Sequence, residues 1–116
     1  MQKQLKVAIV EDNAYSVDSL SNYLEGVGFF TVKAYRADDA EKLCENEKPD
    51  LLLLDASMKG MSGIDVAKAL PKQKVLFMCA ENEDERKASK VKNSIGIIKK
   101  PINLIELNNL IRKHFS

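Results

Sequence analysis

Four charged residues, each placed just past a short apolar run, constrain the fold of this chain more than any other feature. They are Glu11 and Asp12 after residues 5–10, Asp55 after residues 51–54, and Lys100 after residues 95–98. Short apolar runs bounded by turn signals are typical of buried parallel strands. Ligands bind at the carboxyl ends of the strands in an open parallel sheet. The pattern therefore predicts three carboxylates and one ammonium group on a single edge of a sheet.

Strand-like and helix-like segments alternate along the whole chain. Strands are predicted at residues 5–10, 29–35, 51–54, 75–79 and 95–98. Helices are predicted at residues 14–26, from 38 or 39 to 47, at 64–70, at 81–92, and from 102 to the C-terminus. Five such strand–helix units predict one doubly wound α/β domain over residues 1–116, with helices on both faces of a parallel sheet. No output domain is expected within this chain.

Several helix ends carry their own signals. Asp38 or Asp39 is predicted to cap the second helix, and Asn103 to begin a capping box on the fifth. The fourth helix has acids at its start and bases at its end, an order that complements the helix dipole. Its apolar face is limited to Ala88 and Val91, so we expect this helix to be loosely held.

Composition narrows the class of protein. The chain is 45% hydrophobic and carries a formal net charge of +1, which gives no bulk attraction to nucleic acid or to a membrane surface. Cys44 and Cys79 show no metal-binding spacing and are predicted to be free thiols in a reducing compartment. The N-terminus does not resemble a signal peptide, and no apolar run approaches transmembrane length. These features predict a cytoplasmic location.

Three neighbouring carboxylates suggest a metal site. Like charges a few ångströms apart raise one another's pKa unless a cation compensates, and Mg²⁺ (or Mn²⁺) prefers such oxygen ligands. Lys100 cannot ligate a metal, but it could pair with a carboxylate or an incoming anion. Asp55 is the best candidate nucleophile, since it follows the most apolar strand and precedes a loop whose Gly60 and Gly63 could make space for a phosphoryl group. Each acid alone, however, could equally be a turn residue or a helix cap.

Taken together, these motifs resemble the receiver domain of bacterial two-component response regulators over essentially the whole chain. The matching segments are VAIVEDN at residues 7–13, PDLLLLD at residues 49–55, Met58, Met61 and Gly63 beyond it, and Lys100-Pro101. The resemblance implies a flavodoxin-like fold with strand order 2-1-3-4-5 and five helices. It also implies a phosphorelay signalling function in the bacterial cytoplasm.

The resemblance assigns a role to each site residue. Asp55 would accept a phosphoryl group from a histidine kinase or a histidine phosphotransferase, and Lys100 would contact that group. Asp12 and Asp55 would bind Mg²⁺ directly, Glu11 mostly through water, and Ser57 through its backbone carbonyl. The peptide bond after Lys100 is expected to be cis. The protein would not be a true enzyme, because transfer to its own aspartate and autodephosphorylation complete a single turnover.

The chain departs from the family at positions that matter for switching. Cys79 stands where Ser or Thr is usual, and Ile97 stands where Tyr or Phe is usual. Lys59 replaces a proline, and the interval from Asp55 to Cys79 is several residues shorter than usual. We therefore expect a weak or unusual output, carried to an unknown downstream protein by the face formed by the fourth helix, the fifth strand and the fifth helix.

Other functions stay open at this stage. A pseudo-receiver that docks partners without phosphate is favoured by Cys79 and Ile97. A magnesium-dependent phosphatase would need an acid where Ser57 stands, and an FMN carrier would need a phosphate loop at residues 11–13. The basic residues at 86–100 could form a docking face or simply a solvated one. The sequence does not tell whether the chain is a stand-alone receiver or part of a longer regulator.

Overall fold

A computed structural model describes residues 4–116 as a five-stranded parallel sheet with strand order β2-β1-β3-β4-β5 and helices on both faces. The strands are β1 (Lys6–Val10), β2 (Phe30–Ala34), β3 (Leu51–Asp55), β4 (Val75–Cys79) and β5 (Ser94–Lys99). The helices are α1 (Ala14–Gly26), α2 (Ala40–Glu47), α3 (Gly63–Ala69), α4 (Asn82–Ala88) and α5 (Leu104–Phe115). The predicted doubly wound, flavodoxin-like architecture is confirmed, although residues 1–3 of the predicted domain lie outside the described residues.

Two separate cores lie on the two faces of the sheet. Alternate side chains of β3 point to opposite faces, so that Leu52 and Leu54 join one core and Leu51 and Leu53 join the other. All four leucines are fully buried. A strand covered on both sides has no polar face, which is why this segment is continuously apolar instead of alternating.

The helix ends differ in detail from the predictions. Asn103 caps α5 as predicted, since its Oδ1 accepts a hydrogen bond from the backbone N–H of Glu106 at 3.0 Å. The predicted cap of α2 is wrong, because a 3₁₀ turn (Ala37–Asp39) precedes that helix and Asp39 makes no side-chain capping bond. None of the helices within residues 4–116 is both long and apolar enough to cross a membrane.

Helix α4 is shorter than predicted and ends at Ala88. The hydroxyl of Ser89 donates to the carbonyl of Arg86 at 2.8 Å, and the N–H of Lys90 bonds to the carbonyl three residues back instead of four. Such local bonds compete with helix propagation. Ala88 and Val91 are buried, so a thin apolar edge anchors this segment.

Candidate functional site

The sheet register brings the predicted site residues to one edge. Val10 pairs with Leu54, so the residues that follow them, Glu11 and Asp55, emerge side by side. Cys79 pairs with Lys99, and this places Lys100 at the same edge beyond β5. The side chains therefore come from three strands, and the carboxyl ends of those strands meet as the sequence predicted.

The ammonium group of Lys100 lies between two buried carboxylates. Its Nζ is 2.9 Å from Glu11 Oε1 and 3.0 Å from Asp55 Oδ2. The carboxylate side chains are only 5% and 6% exposed, whereas that of Lys100 is 27% exposed. The backbone N–H of Lys100 donates to the carbonyl of Cys79 at 2.9 Å, and the Lys100–Pro101 bond is cis, as expected.

The site carries more negative charge than its lysine neutralises. Burial raises the pKa of Glu11 above its usual 4.5; Lys100 opposes this shift, while the charges of Asp55 and Asp12 add to it. Burial alone would lower the pKa of Lys100, but its hydrogen bonds to Glu11 and Asp55 outweigh that effect and raise it. A second cation would therefore be stabilised here.

Asp12 is placed differently from the other two acids. It is exposed, and its Oδ2 accepts a hydrogen bond from the backbone N–H of Lys59 at 3.1 Å. The negative charge of Asp12 is close enough to raise the pKa of Glu11. Even so, no group of three His, Cys, Asp or Glu side chains within residues 4–116 is arranged to hold a metal ion. The three carboxylates have the hard oxygen chemistry that Mg²⁺ requires, so the residues fit such an ion once Asp12 turns toward the other two.

The loop after β3 holds Asp55 by its backbone. The N–H of Ser57 donates to Asp55 Oδ1 at 3.1 Å, which leaves the two carboxylate oxygens with different partners. The start of α3 packs directly on this strand end, where the N–H of Gly63 donates to the carbonyl of Ala56 at 3.0 Å. The side chain of Ser57 is exposed.

Gly63 has a packing role that the sequence did not predict. A Cβ atom at this position would lie 1.9 Å from the backbone oxygen of Asp55, so the absent side chain allows α3 to pack closely on the end of β3. Gly60, by contrast, has a φ of +83° and open space around it, as a turn glycine requires. Sequence reasoning did not predict the close packing at Gly63 or the bond between Asp12 and the Lys59 amide. A glycine in a turn is the only sequence signal of the first feature, and the second has none.

Cys79 ends β4 inside the core that contains Leu52 and Leu54. It is 1% exposed, and burial, reinforced by nearby acids, raises the pKa of its thiol to about 11. The group is therefore a protonated thiol near neutral pH, which disfavours a redox-sensing role. Ile97 packs against the same core.

The basic segment near α4 is partly neutralised by acids of that helix. Lys87 Nζ lies 3.3 Å from Glu83 Oε1, and Lys99 Nζ lies 3.3 Å from Glu85 Oε2. The first pair is exposed on both sides, and in the second pair Lys99 is exposed while Glu85 is half-buried, so neither pair is expected to contribute much to stability. The face is consequently mixed in charge and not uniformly basic.

Comparisons with known proteins agree on one family. The family described as response regulator receiver domain matches residues 7–112. The alkaline phosphatase synthesis transcriptional regulatory protein PhoP of Bacillus subtilis is 38% identical over 72 residues, which cover 62% of this chain and 30% of that protein. Sporulation initiation phosphotransferase F of the same organism is 30% identical over 115 residues, covering 94% of this chain and 92% of that protein.

A solved structure shares the fold over nearly the full length. The receiver domain (CheY-like) from Methylobacillus flagellatus is similar with a TM-score of 0.86 and 19% identity, covering 96% of this chain and 98% of that one. By contrast, the chain spans 30% to 48% of the length of several transcriptional regulators that it matches.

Proposed function

The chain belongs to the receiver domain family of response regulators, and from this membership we propose that Asp55 is the phosphoacceptor of a two-component signalling system. The donor would be a phosphohistidine on a histidine kinase or a histidine phosphotransferase. The observation that supports this most is the buried carboxylate of Asp55, held 3.0 Å from the ammonium group of Lys100 at the carboxyl edge of the sheet. No ordinary core position needs that combination.

The chemistry follows from the contacts of Asp55. One carboxylate oxygen attacks phosphorus and forms a P–O bond, while the P–N bond to the donor imidazole breaks and the departing imidazole takes up a proton from solvent. The ammonium group of Lys100 is placed to offset the charge that develops on the phosphoryl oxygens. The N–H of Ser57 steadies the other carboxylate oxygen at 3.1 Å.

A divalent cation completes the proposal. Glu11, Asp12 and Asp55 would hold Mg²⁺ or Mn²⁺, with a contribution from the backbone carbonyl of Ser57. The bound cation would supply positive charge to the phosphoryl oxygens. The protein would act once per phosphoryl group and then lose it by hydrolysis, so it would be a signalling switch and not a turnover enzyme.

The test is phosphorylation by a small donor. The full chain is incubated with acetyl phosphate and Mg²⁺, and intact-mass spectrometry should show the addition of one phosphoryl group. Asp55→Asn should abolish that addition, whereas Asp65→Asn, an exposed acid in the first turn of α3, should leave it unchanged. An unmodified wild type, or equal modification of Asp55→Asn, would refute the assignment.

A second candidate is a docking module that works without phosphate. The buried, weakly donating thiol of Cys79 and the aliphatic Ile97 favour it, because neither offers the hydroxyl or the aromatic ring of a conventional switch. Amide hydrogen exchange separates the two candidates. Altered protection along α4, β5 and α5 after beryllofluoride addition would support a phosphate-driven output to a downstream protein, and changes confined to the loop after Asp55 would favour the docking module.

A further inference from the structure

We propose that the backbone amide of Lys59 is a latch on Asp12, which a divalent cation must release in order to bind. Residue 59 would thereby set the cation affinity of the site. The inference rests on the proposed function, in which Asp12 is a cation ligand. Its direct basis is the 3.1 Å hydrogen bond from Lys59 N–H to Asp12 Oδ2, which joins positions 47 residues apart in the chain.

Asp12 is not arranged with Glu11 and Asp55 as a cation site, since no group of three His, Cys, Asp or Glu side chains within residues 4–116 is positioned to hold a metal ion. Asp12 and Lys59 line a cleft of about 510 Å³ that is also bordered by the loop after β2. Glu11 and Lys100 line a different cleft of about 360 Å³, on the side of α1 and α5. The latch therefore holds Asp12 against the loop after β3, beside a cleft other than the one that Glu11 and Lys100 line.

The latch opposes cation binding for a simple reason. Under the proposed latch, the rotation that brings Asp12 to Glu11 and Asp55 carries Oδ2 away from the Lys59 amide, and part of the free energy of cation binding is spent on breaking the bond. A hydrogen bond to an ionised acceptor is stronger than a neutral one, although exposure of this pair reduces its contribution. Every amino acid except proline supplies this N–H, so the device belongs to the backbone and not to the lysine side chain.

The latch also links the cation to the loop that carries Ser57. The loop between β3 and α3 is attached to Asp55 through the Ser57 amide and to Asp12 through the Lys59 amide. Release of the second bond leaves the first in place. Cation binding would therefore loosen residues 58–60 while Asp55 keeps its backbone donor.

Two variants isolate the amide from the charge. Lys59→Pro and Lys59→Ala both lack the ammonium group, but only Lys59→Ala retains the N–H. Isothermal titration calorimetry of the full chain with Mg²⁺ alone should show that Lys59→Pro binds Mg²⁺ about three- to tenfold more tightly than Lys59→Ala does. In Lys59→Ala, the amide resonance of residue 59 should shift, and its hydrogen exchange should accelerate, as Mg²⁺ saturates the site.

The outcomes separate this inference from the proposed function. Equal affinities of the two variants, or a residue 59 amide that does not respond at saturation, would overturn the latch while leaving the phosphoacceptor proposal intact. The amide measurement on Lys59→Ala decides the question even if Lys59→Pro fails to fold. An absence of Mg²⁺ binding in the wild type and both variants would overturn the latch together with the cation role of Asp12.

Discussion

Replacing Lys100 by methionine should destabilise the fold in a strongly pH-dependent manner. The substitution leaves the carboxylates of Glu11 and Asp55 buried without their shared cation, a loss that costs about 3–5 kcal/mol for a fully buried pair. The variant can avoid part of this cost by protonating Glu11, which removes one of the two buried negative charges. From a usual pKa of 4.5, it costs about 1.4 kcal/mol per pH unit, or about 3.4 kcal/mol at pH 7. We therefore expect a loss of about 3 kcal/mol at pH 7 and of less than about 1 kcal/mol at pH 4.5.

The sign of this dependence follows from proton linkage. Because the pKa of Glu11 is raised in the folded chain, the native state binds more protons than the unfolded state above pH 4.5, and stability falls as the pH rises through that window. Removing Lys100 raises the folded pKa further and so steepens the fall. The raised pKa of Lys100 stabilises the folded chain at every pH below its usual 10.5. That contribution changes with pH only above about pH 10, outside the range of the experiment.

Urea unfolding followed by far-ultraviolet circular dichroism, with chelator present, measures the effect at both pH values. Lys99→Met is the matched control, since that side chain is 67% exposed and should change the stability by no more than about 0.5 kcal/mol. The double variant Lys100→Met with Glu11→Gln should recover most of the loss at pH 7. An equal loss at pH 7 and pH 4.5 would refute the reasoning, because it would mean that lost packing, and not uncompensated charge, sets the cost.

Three further predictions test packing around the site. Gly63→Ala should sharply lower the melting temperature, because its Cβ would lie 1.9 Å from the backbone oxygen of Asp55; Gly26→Ala, with open space, should instead stabilise the chain by about 0.5–1 kcal/mol. Asn93→Ala should cost about 2 kcal/mol in chemical unfolding, since its Nδ2 donates to three backbone carbonyls in and after α3 at 2.7 to 3.2 Å. A cost near zero would argue against that role. Cys79, with its thiol pKa of about 11, should react with iodoacetamide at pH 8 about a hundredfold more slowly in the folded than in the urea-unfolded chain, as read by peptide mass spectrometry. Equal rates would contradict its burial.

The sheet and its order were predictable because strong local patterns agreed with one another. Continuous apolar runs at β3 and β4 predicted strands buried on both faces of the sheet. For β4, the predicted first and last residues are those found in the structure. The helical spacing of apolar side chains likewise gave α1 correctly. The charged residues after these runs predicted that Glu11, Asp55 and Lys100 meet, because the carboxyl ends of parallel strands converge at one edge of the sheet. Asp12 does not join them and accepts a hydrogen bond from the Lys59 amide instead.

The features that sequence reasoning missed depend on contacts between distant segments. The bond from the Lys59 amide to Asp12 is made by the backbone, so no side-chain pattern records it. The requirement at Gly63 comes from the approach of α3 to the end of β3, which the sequence shows only as a glycine in a loop. The early end of α4 depends on local bonds of Ser89 that compete with a helical pattern continuing beyond it.

The charge arrangement at the edge of the sheet is a poor way to stabilise a fold, and this supports a functional origin. Glu11 and Asp55 share one ammonium group, so the buried set keeps an unbalanced negative charge. Burial raises the pKa of Glu11, and the neighbouring acids add to that shift. Well-packed apolar residues in place of such a cluster are often neutral or stabilising by about 1–4 kcal/mol. A site that only had to hold β1, β3 and β5 together would have no need of two buried carboxylates. Under the proposed function, a site that binds a divalent cation and then accepts a phosphoryl group would need this excess negative charge, and the folded chain without a bound cation would be less stable as a consequence.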